Sequence, residues 1–412
     1  MVHRLSPLTS LGLGLYEGET VMSTTSYQCI SGDSHLEVDS KRWIHRVPEK
    51  YRDRAPRLIQ TASGGDAWVI EGQPAREVPS DLYGGKGRAN WRPFGQTYAG
   101  TAGTGAAEQR VQEQERDGID AEVLYPAQVG GPWWWRNIPD DDAYKAIVRA
   151  YNEWLAEEYC AVSPDRLIGL GIIPMTDVHD AVAEMEHCAQ LGFKGVLLSA
   201  FPHNKGYPSP EDDRFWAASL DLEMPVTVHI ELNRLGERAG PLLKYPREDP
   251  SALKKIGSIG LAEQVSRFHR VGGLNVVQMV LDGLFDRFPN LWVYFAETHA
   301  GWLPFFLHMA DLRYQRHYTW AEELLGFKPL KRLPSEYIRE HIYWGFLDDP
   351  IGVEMRHHLG VNRLIWATDF PHQESDWPDS GAVIERIFEG VPQEETYQMV
   401  AGNVVEFFHL DR

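Results

Sequence analysis

The stretch LWVYFAETH, residues 291–299, decides the fold class. Six apolar residues run without alternation and then give way to Glu297 and His299. A continuous apolar run of this length suits a parallel strand covered on both faces, whereas a half-exposed strand would alternate. Seven more runs share the form: YQCISGDSH (27–35), IDAEVLYP (119–126), RLIGLGIIP (166–174), FKGVLLSA (193–200), PVTVHIE (225–231), HIYWGF (341–346) and RLIWATDFPH (363–372). Between them lie amphipathic stretches such as DDAYKAIVRAYNEWLAEEYCAV, DVHDAVAEMEHCAQLG, LAEQVSRFHRVGGLNVVQMVLDGLFDRFP and GWLPFFLHMADLRY. Eight strands alternating with helices predict a (β/α)8 TIM barrel. The rival, a doubly wound open sheet, lacks its Gly-rich phosphate loop after the first run.

Residues 27–412 read as one barrel domain, preceded by a tail at 1–26 in which Met22 is an alternative start. The connection from about 38 to 110 is far longer than an ordinary βα loop and contains DLYGGKGRANWRPFGQTYAGTAGTG, which reads as a lid. A second aromatic loop, GGPWWWRN (130–137), follows the second strand. Both connections leave the C-terminal ends of strands, where barrels build their sites.

The chain has 40 Lys+Arg against 59 Asp+Glu, a formal charge of −19, which argues against nucleic acid or anionic membrane as partner. Three cysteines without a CxxC pair exclude a thiolate metal cluster and a disulfide scaffold, and fit the cytoplasm. The apolar patch at 11–15 is too weak for a signal peptide, and no run reaches the ~18 residues of a membrane span.

The strand ends carry the chemistry. The first closes on Asp33, His35 and Glu37, the fifth on His229 and Glu231, the sixth on Glu297 and His299, the eighth on Asp369 with His372 three residues later. Residues i and i+2 of a strand share a face, so each pair offers two groups to one side if the extended geometry persists. Singly, D-x-H after a strand is ordinarily a turn Asp and a surface His, and Asp369 could simply cap a helix. Four such ends converging on one barrel rim point instead to a metal site, and imidazole with carboxylate suits Zn, Mn or Fe.

The segments DSHLE, VTVHIE, AETHAGWLPFF and WATDFPHQESDWPDS resemble the amidohydrolase-related, decarboxylase-type barrels typified by aminocarboxymuconate semialdehyde decarboxylase. The resemblance spans residues 27 to 410 apart from the long insertion. It implies a barrel, a metal held by Asp33, His35, His229 and Asp369, a functional residue at the end of the sixth strand, and a tendency to form homodimers. The crowding of Glu37, Glu231, Glu297, His299 and His203 around those ligands offers donors enough for two ions. In that respect the chain resembles a rarer branch more closely, the TIM-barrel non-heme diiron monooxygenases of platensimycin and platencin biosynthesis. That resemblance implies an oxidoreductase of antibiotic secondary metabolism with two Fe ions, using O2 to hydroxylate a bulky, terpenoid-like, acyl-CoA-linked substrate.

The first expectation is therefore a diiron monooxygenase with Asp33, His35, His229, Glu297, His299 and Asp369 as metal ligands. Glu297, His299, Glu37 and Glu231 are the catalytic candidates. The alternative is a mononuclear Zn or Mn decarboxylase or hydrolase, in which Glu297 or His299 moves a proton. A non-catalytic binding barrel is the third reading, disfavoured by the intact ligand set. His203 and His372 are candidates for further ligation or substrate contact. Trp91, Phe94 and Trp133 to Trp135 are candidates to line the pocket. Lys86, Arg88, Arg92, Arg136 and Arg234 could meet a carboxylate or phosphate, although any one of them can equally be a solvated loop charge.

Overall fold

Each apolar run becomes a strand because its branched and aromatic side chains meet packed layers on both faces. The computed structural model describes residues 27–62, 64–78, 82–89, 91–92, 94–127, 131–232 and 272–411. The tail at 1–26, Arg234 and the expected helical stretch 261–271 lie outside the described residues. β1 (Ile30–Leu36) is followed by three short strands, β2 (Arg57–Gln60), β3 (Asp66–Val69) and β4 (Arg76–Glu77). Then come β5 (Ala121–Pro126), β6 (Leu167–Gly169), β7 (Gly171–Ile172), β8 (Val196–Leu197) and β9 (Val226–His229). β10 (Val293–Ala296), β11 (Ile342–Phe346) and β12 (Leu364–Trp366) complete the set.

β1 pairs in parallel with β5, and β5 with β6. β7 to β12 pair in parallel in chain order. β6 and β7 are two halves of one expected strand, interrupted at Leu170. The ring closes between first and last strands: Asp369 N donates to Asp33 O at 2.9 Å and His35 N to Phe370 O at 2.7 Å. Gly32 makes this closure fit, since a Cβ there would lie 2.2 Å from Ile365 Cγ2. The architecture is the expected TIM barrel.

Strand parity sorts the core. On β10, Tyr294 and Ala296 belong to an inner cluster with Tyr125, Leu197 and Ile365, while Val293 and Phe295 join the outer layer. The helix Asn403–Phe408 completes the inner cluster, placing Phe407 5.0 Å from Tyr343 and 5.8 Å from Tyr294 between ring centroids.

Between β1 and β5, the strands β2, β3 and β4 form a small antiparallel sheet. Trp68, Leu82 and Tyr98 from this segment are buried in the outer core. The segment docks on the loop after β12, where Tyr83 N and Gly84 N donate to Pro371 O at 2.9 and 2.8 Å and Leu82 bridges His372. No helix among the described residues is long and apolar enough to cross a membrane.

Candidate metal centre

Five side chains from four strand ends converge: Asp33, His35, His229, Glu297 and Asp369 each bring one donor atom to within 4.8 Å of all the others. His35 Nε2 and His229 Nε2 face each other at 3.0 Å. Asp369 Oδ1 stands 3.3 Å from His35 Nε2, and Glu297 Oε2 stands 3.2 Å from His229 Nε2. Asp33 reaches both rings, at 3.6 and 3.5 Å. Donors ~2.0–2.2 Å from one ion are at most ~4.4 Å apart, and these five pairs, at 3.0–3.6 Å, lie within that span.

The donor chemistry fits a divalent cation. Asp33, Glu297 and Asp369 are all essentially buried, and gathering three carboxylates out of water is costly without a compensating charge. Burial, then the charge on His372, hold the His35 pKa below the ordinary imidazole value, as a neutral ligand requires. His35 Nδ1 donates to Pro126 O at 3.0 Å, which turns the lone pair of Nε2 toward the other donors.

The backbone at this rim is unusual. Ile230, Glu297, His299 and Asp369 all have positive φ, at 62°, 54°, 55° and 53°. Such geometry costs roughly 1–3 kcal/mol per non-Gly residue and collects at functional sites. It also explains which expected groups do not share the centre. β10 ends at Ala296, so Glu297 and His299 are no longer related by strand parity. His299 lies outside the five-residue group, with Nδ1 3.8 Å from Asp349 Oδ2. Similarly, the turn at Ile230 lets Glu231 N donate to His229 O at 2.8 Å, and Glu231 lines a cleft beside the centre rather than joining it.

Glu37 and His372 form a layer behind the centre. His372 Nδ1 meets Asp369 Oδ1 at 3.1 Å and His372 Nε2 meets Glu37 Oε1 at 3.0 Å. The His372 ring stacks on His35 with centroids 3.9 Å apart. Burial opposes charge on His372, but Asp369 and Glu37 overcome it and hold its pKa well above the ordinary value. Burial likewise opposes the Asp369 carboxylate, and His372 and His35 hold its pKa below the usual range. His203 is tied by Nδ1 to Asp212 Oδ1 at 2.7 Å and is not in the five-residue group.

A narrow cleft opens beside His35 and His229 and is walled by Tyr125, Pro126, Pro132, Trp133, Leu197 and Leu198. Of the aromatic candidates, only Trp133 reaches it. Trp134 and Trp135 are buried in the outer core, Trp135 against Trp43 at 5.3 Å, because the short helix Pro132–Trp135 packs its loop onto the barrel. Trp91 Nε1 donates to Leu82 O at 3.3 Å, and Phe94 is exposed. The basic candidates are engaged elsewhere. Arg88 binds Gln373 O and Asp376, Arg92 binds the carbonyls of Ala89 and Trp91, Arg136 binds Met175 O, and Lys86 Nζ binds Gln96 Oε1.

Three residues that sequence reasoning missed complete the surroundings. Tyr125, closing β5, lies 5.2 Å from the His229 ring, and burial followed by the Asp33 charge keeps its phenol protonated. Tyr98 donates to Glu37 Oε2 at 2.5 Å. Arg110, on the helix Ala107–Asp117, pairs with Glu122 and donates to the carbonyls of His35 and Phe370. Only Tyr125, as the last aromatic of an apolar run, carried a signal in the sequence.

The amidohydrolase family model matches residues 91–410, so β1 with Asp33 and His35 precedes the matched stretch. Gamma-resorcylate decarboxylase of Rhizobium sp. is 25% identical over 264 residues, covering 60% of this chain and 74% of that protein. The 2-amino-3-carboxymuconate-6-semialdehyde decarboxylase of Dictyostelium discoideum is 24% identical over 383 residues, 92% of this chain and 91% of the relative. A crystal structure of 5-carboxyvanillate decarboxylase from Novosphingobium aromaticivorans, complexed with manganese and a nitrobenzoic acid, shares the fold at a TM-score of 0.63. It is 18% identical and covers 93% of this chain and 96% of its own.

These relatives overturn the expectation of a diiron monooxygenase. They are decarboxylases, so the oxidoreductase class and its antibiotic-biosynthesis setting are withdrawn. O2 and an acyl-CoA-linked substrate belonged to that expectation and go with it. Two Fe ions lose their structural basis as well, because Glu37, Glu231, His203 and His299, the donors for a second ion, do not join the five-residue group.

Proposed function

The chain belongs to the amidohydrolase family, and from that premise and the geometry of the rim we propose that it is a mononuclear metal-dependent decarboxylase of a small aromatic carboxylate. The observation that carries this reading is the convergence of five donors, four of them buried and His229 half-buried, beside a cleft with largely apolar walls. Asp33, His35, His229, Glu297 and Asp369 would hold one Mn or Zn ion. When bound, such an ion supplies positive charge that fixes a substrate carboxylate or an adjacent oxygen.

The remaining work falls to the chain's own side chains. Trp133, Pro126, Pro132, Leu197 and Leu198 flank a planar ring and exclude water, which favours departure of the carboxylate as neutral CO2. As the carbon–carboxylate bond breaks, its electron pair stays on the ring carbon, which takes a proton. Glu231, in the cleft wall and outside the ligand group, is assigned that proton transfer. Tyr125, a neutral phenol at the same wall, donates a hydrogen bond to the bound ring substituent. Residues 27–412 act in this reading as one barrel domain, with the insertion at about 38–110 as its cap.

The test is CO2 release from a panel of hydroxybenzoates by Mn- or Zn-loaded protein, with and without air. Turnover is expected in both atmospheres, and Glu231→Gln should lower it by about 100-fold or more while bound metal is retained. No CO2 from any aromatic carboxylate sinks the assignment, and an unchanged Glu231→Gln rate removes Glu231 from it.

A further inference from the structure

The long segment between β1 and β5 reaches the centre through an unbroken run of buried polar groups. Trp68 Nε1 donates to Tyr98 Oη at 3.1 Å, and Tyr98 donates in turn to Glu37 Oε2 at 2.5 Å. Glu37 Oε1 accepts from His372 Nε2 at 3.0 Å, and the opposite nitrogen of the same ring donates to Asp369 Oδ1 at 3.1 Å. Tyr98 is 5% exposed, Glu37 0% and His372 1%, so water does not compete for these bonds. Both carboxylate oxygens of Glu37 are thereby engaged on the side away from the five-residue group.

Stability alone does not ask for this arrangement. Buried polar side chains such as a carboxylate and an imidazole are costly, and apolar side chains of similar volume are often neutral or better in their place. What the polar run does supply is orientation. Glu37 fixes the plane of the His372 ring, and that ring holds the Asp369 carboxylate from one side and stacks against His35 at 3.9 Å from the other. Two of the five donors thus owe their position to one imidazole. That imidazole is aimed by a carboxylate which a tyrosine from the insertion holds in place.

We propose that Tyr98, Glu37 and His372 form an orienting relay through which the insertion between β1 and β5 sets the affinity of the centre for its metal. The three are positioning residues, and the proposal rests on the reading of the five-residue group as a metal centre. Removing the Tyr98 hydroxyl frees Glu37 to turn, lets the His372 ring tilt, and loosens Asp369 and His35 together.

The experiment measures the dissociation constant of Mn²⁺ and of Zn²⁺ by chelator competition on the full chain, without substrate. Tyr98→Phe is expected to weaken binding by about 10-fold, the lower end of what groups behind metal ligands contribute, in a metal-free protein that still unfolds cooperatively although Trp68 and Glu37 lose their bonds to that hydroxyl. In a His372→Gln background the same Tyr98→Phe change should add less than about twofold, because the relay is already cut. If His372→Gln does not fold, Glu37→Gln serves as the background. A Tyr98→Phe constant equal to the wild type overturns the relay, as does an undiminished 10-fold effect in the cut background. Absence of CO2 release with metal bound would sink the decarboxylase and leave the relay standing, so the two failures are separable.

Discussion

Arg110 offers the sharpest test of how the centre is held. Its guanidinium is 1% exposed and makes two bonds to Glu122, at 2.7 and 3.2 Å. Its remaining donors reach His35 O at 3.0 Å and Phe370 O at 3.2 Å, the backbone on either side of the barrel closure. Arg110→Met keeps most of the packing volume and leaves Glu122 buried without its cation. Breaking a buried pair in this way costs roughly 3–5 kcal/mol. At ~2.1 cal/mol/K per residue over the 412-residue chain, the unfolding entropy is about 0.9 kcal/mol/K, so Tm should fall by about 3–6 °C. The control is Arg110→Met with Glu122→Leu, which removes both charges. Part of the loss should return, leaving about 1–3 kcal/mol for the His35 carbonyl, since Phe370 O still accepts from His35 N. Differential scanning calorimetry at fixed pH, on metal-free protein, reads the wild type and both variants. A single variant within about 1 °C of the wild type, or a double variant less stable than the single, refutes the clamp.

Other consequences are simpler to check. His229→Ala should lose most bound metal and keep the barrel fold, and elemental analysis showing full metal retention would take His229 out of the ligand set. Gly32→Ala places a Cβ 2.2 Å from Ile365 Cγ2 and 3.0 Å from Tyr294 Oη, so it should cost roughly 1–3 kcal/mol in urea unfolding; an unchanged midpoint would mean that β1 can shift freely. Burial lifts the Cys29 and Cys160 thiols to about 12 and raises Cys188 well above the ordinary thiol range, so the reactive thiolate gains population only at high pH. Alkylation at pH 8 should therefore be slow in the native protein and fast in urea, and rapid native labelling would contradict the burial.

How much of this was legible beforehand depended on which regularity a residue obeyed. The eight strands followed from unbroken apolar runs, since parallel pairing under helices demands such runs and little else does. Asp33 and His35 followed from strand parity, because β1 stays extended through Leu36 although its register with β5 shifts between Ser31 and Ser34. Parity failed where the chain left the strand. Glu297 comes one residue after β10 and, by alternation from Tyr294 and Ala296, should have faced the outer layer; its φ of 54° turns it to the centre instead. The same left-handed step at Ile230 and at His299 separates Glu231 and His299 from the partners that an i, i+2 count gave them. That count made the rim look rich enough for two ions, and a redox chemistry was inferred from the surplus. Arg110 and Tyr98 were invisible for another reason. Each sits in a segment without strand periodicity, and each acts through a partner more than ten residues away in sequence, Glu122 and Glu37. Ligands that obey a local period can be read from one chain; the groups that aim them are chosen by the closed barrel, and only its geometry shows which loop carbonyl or carboxylate needs a donor.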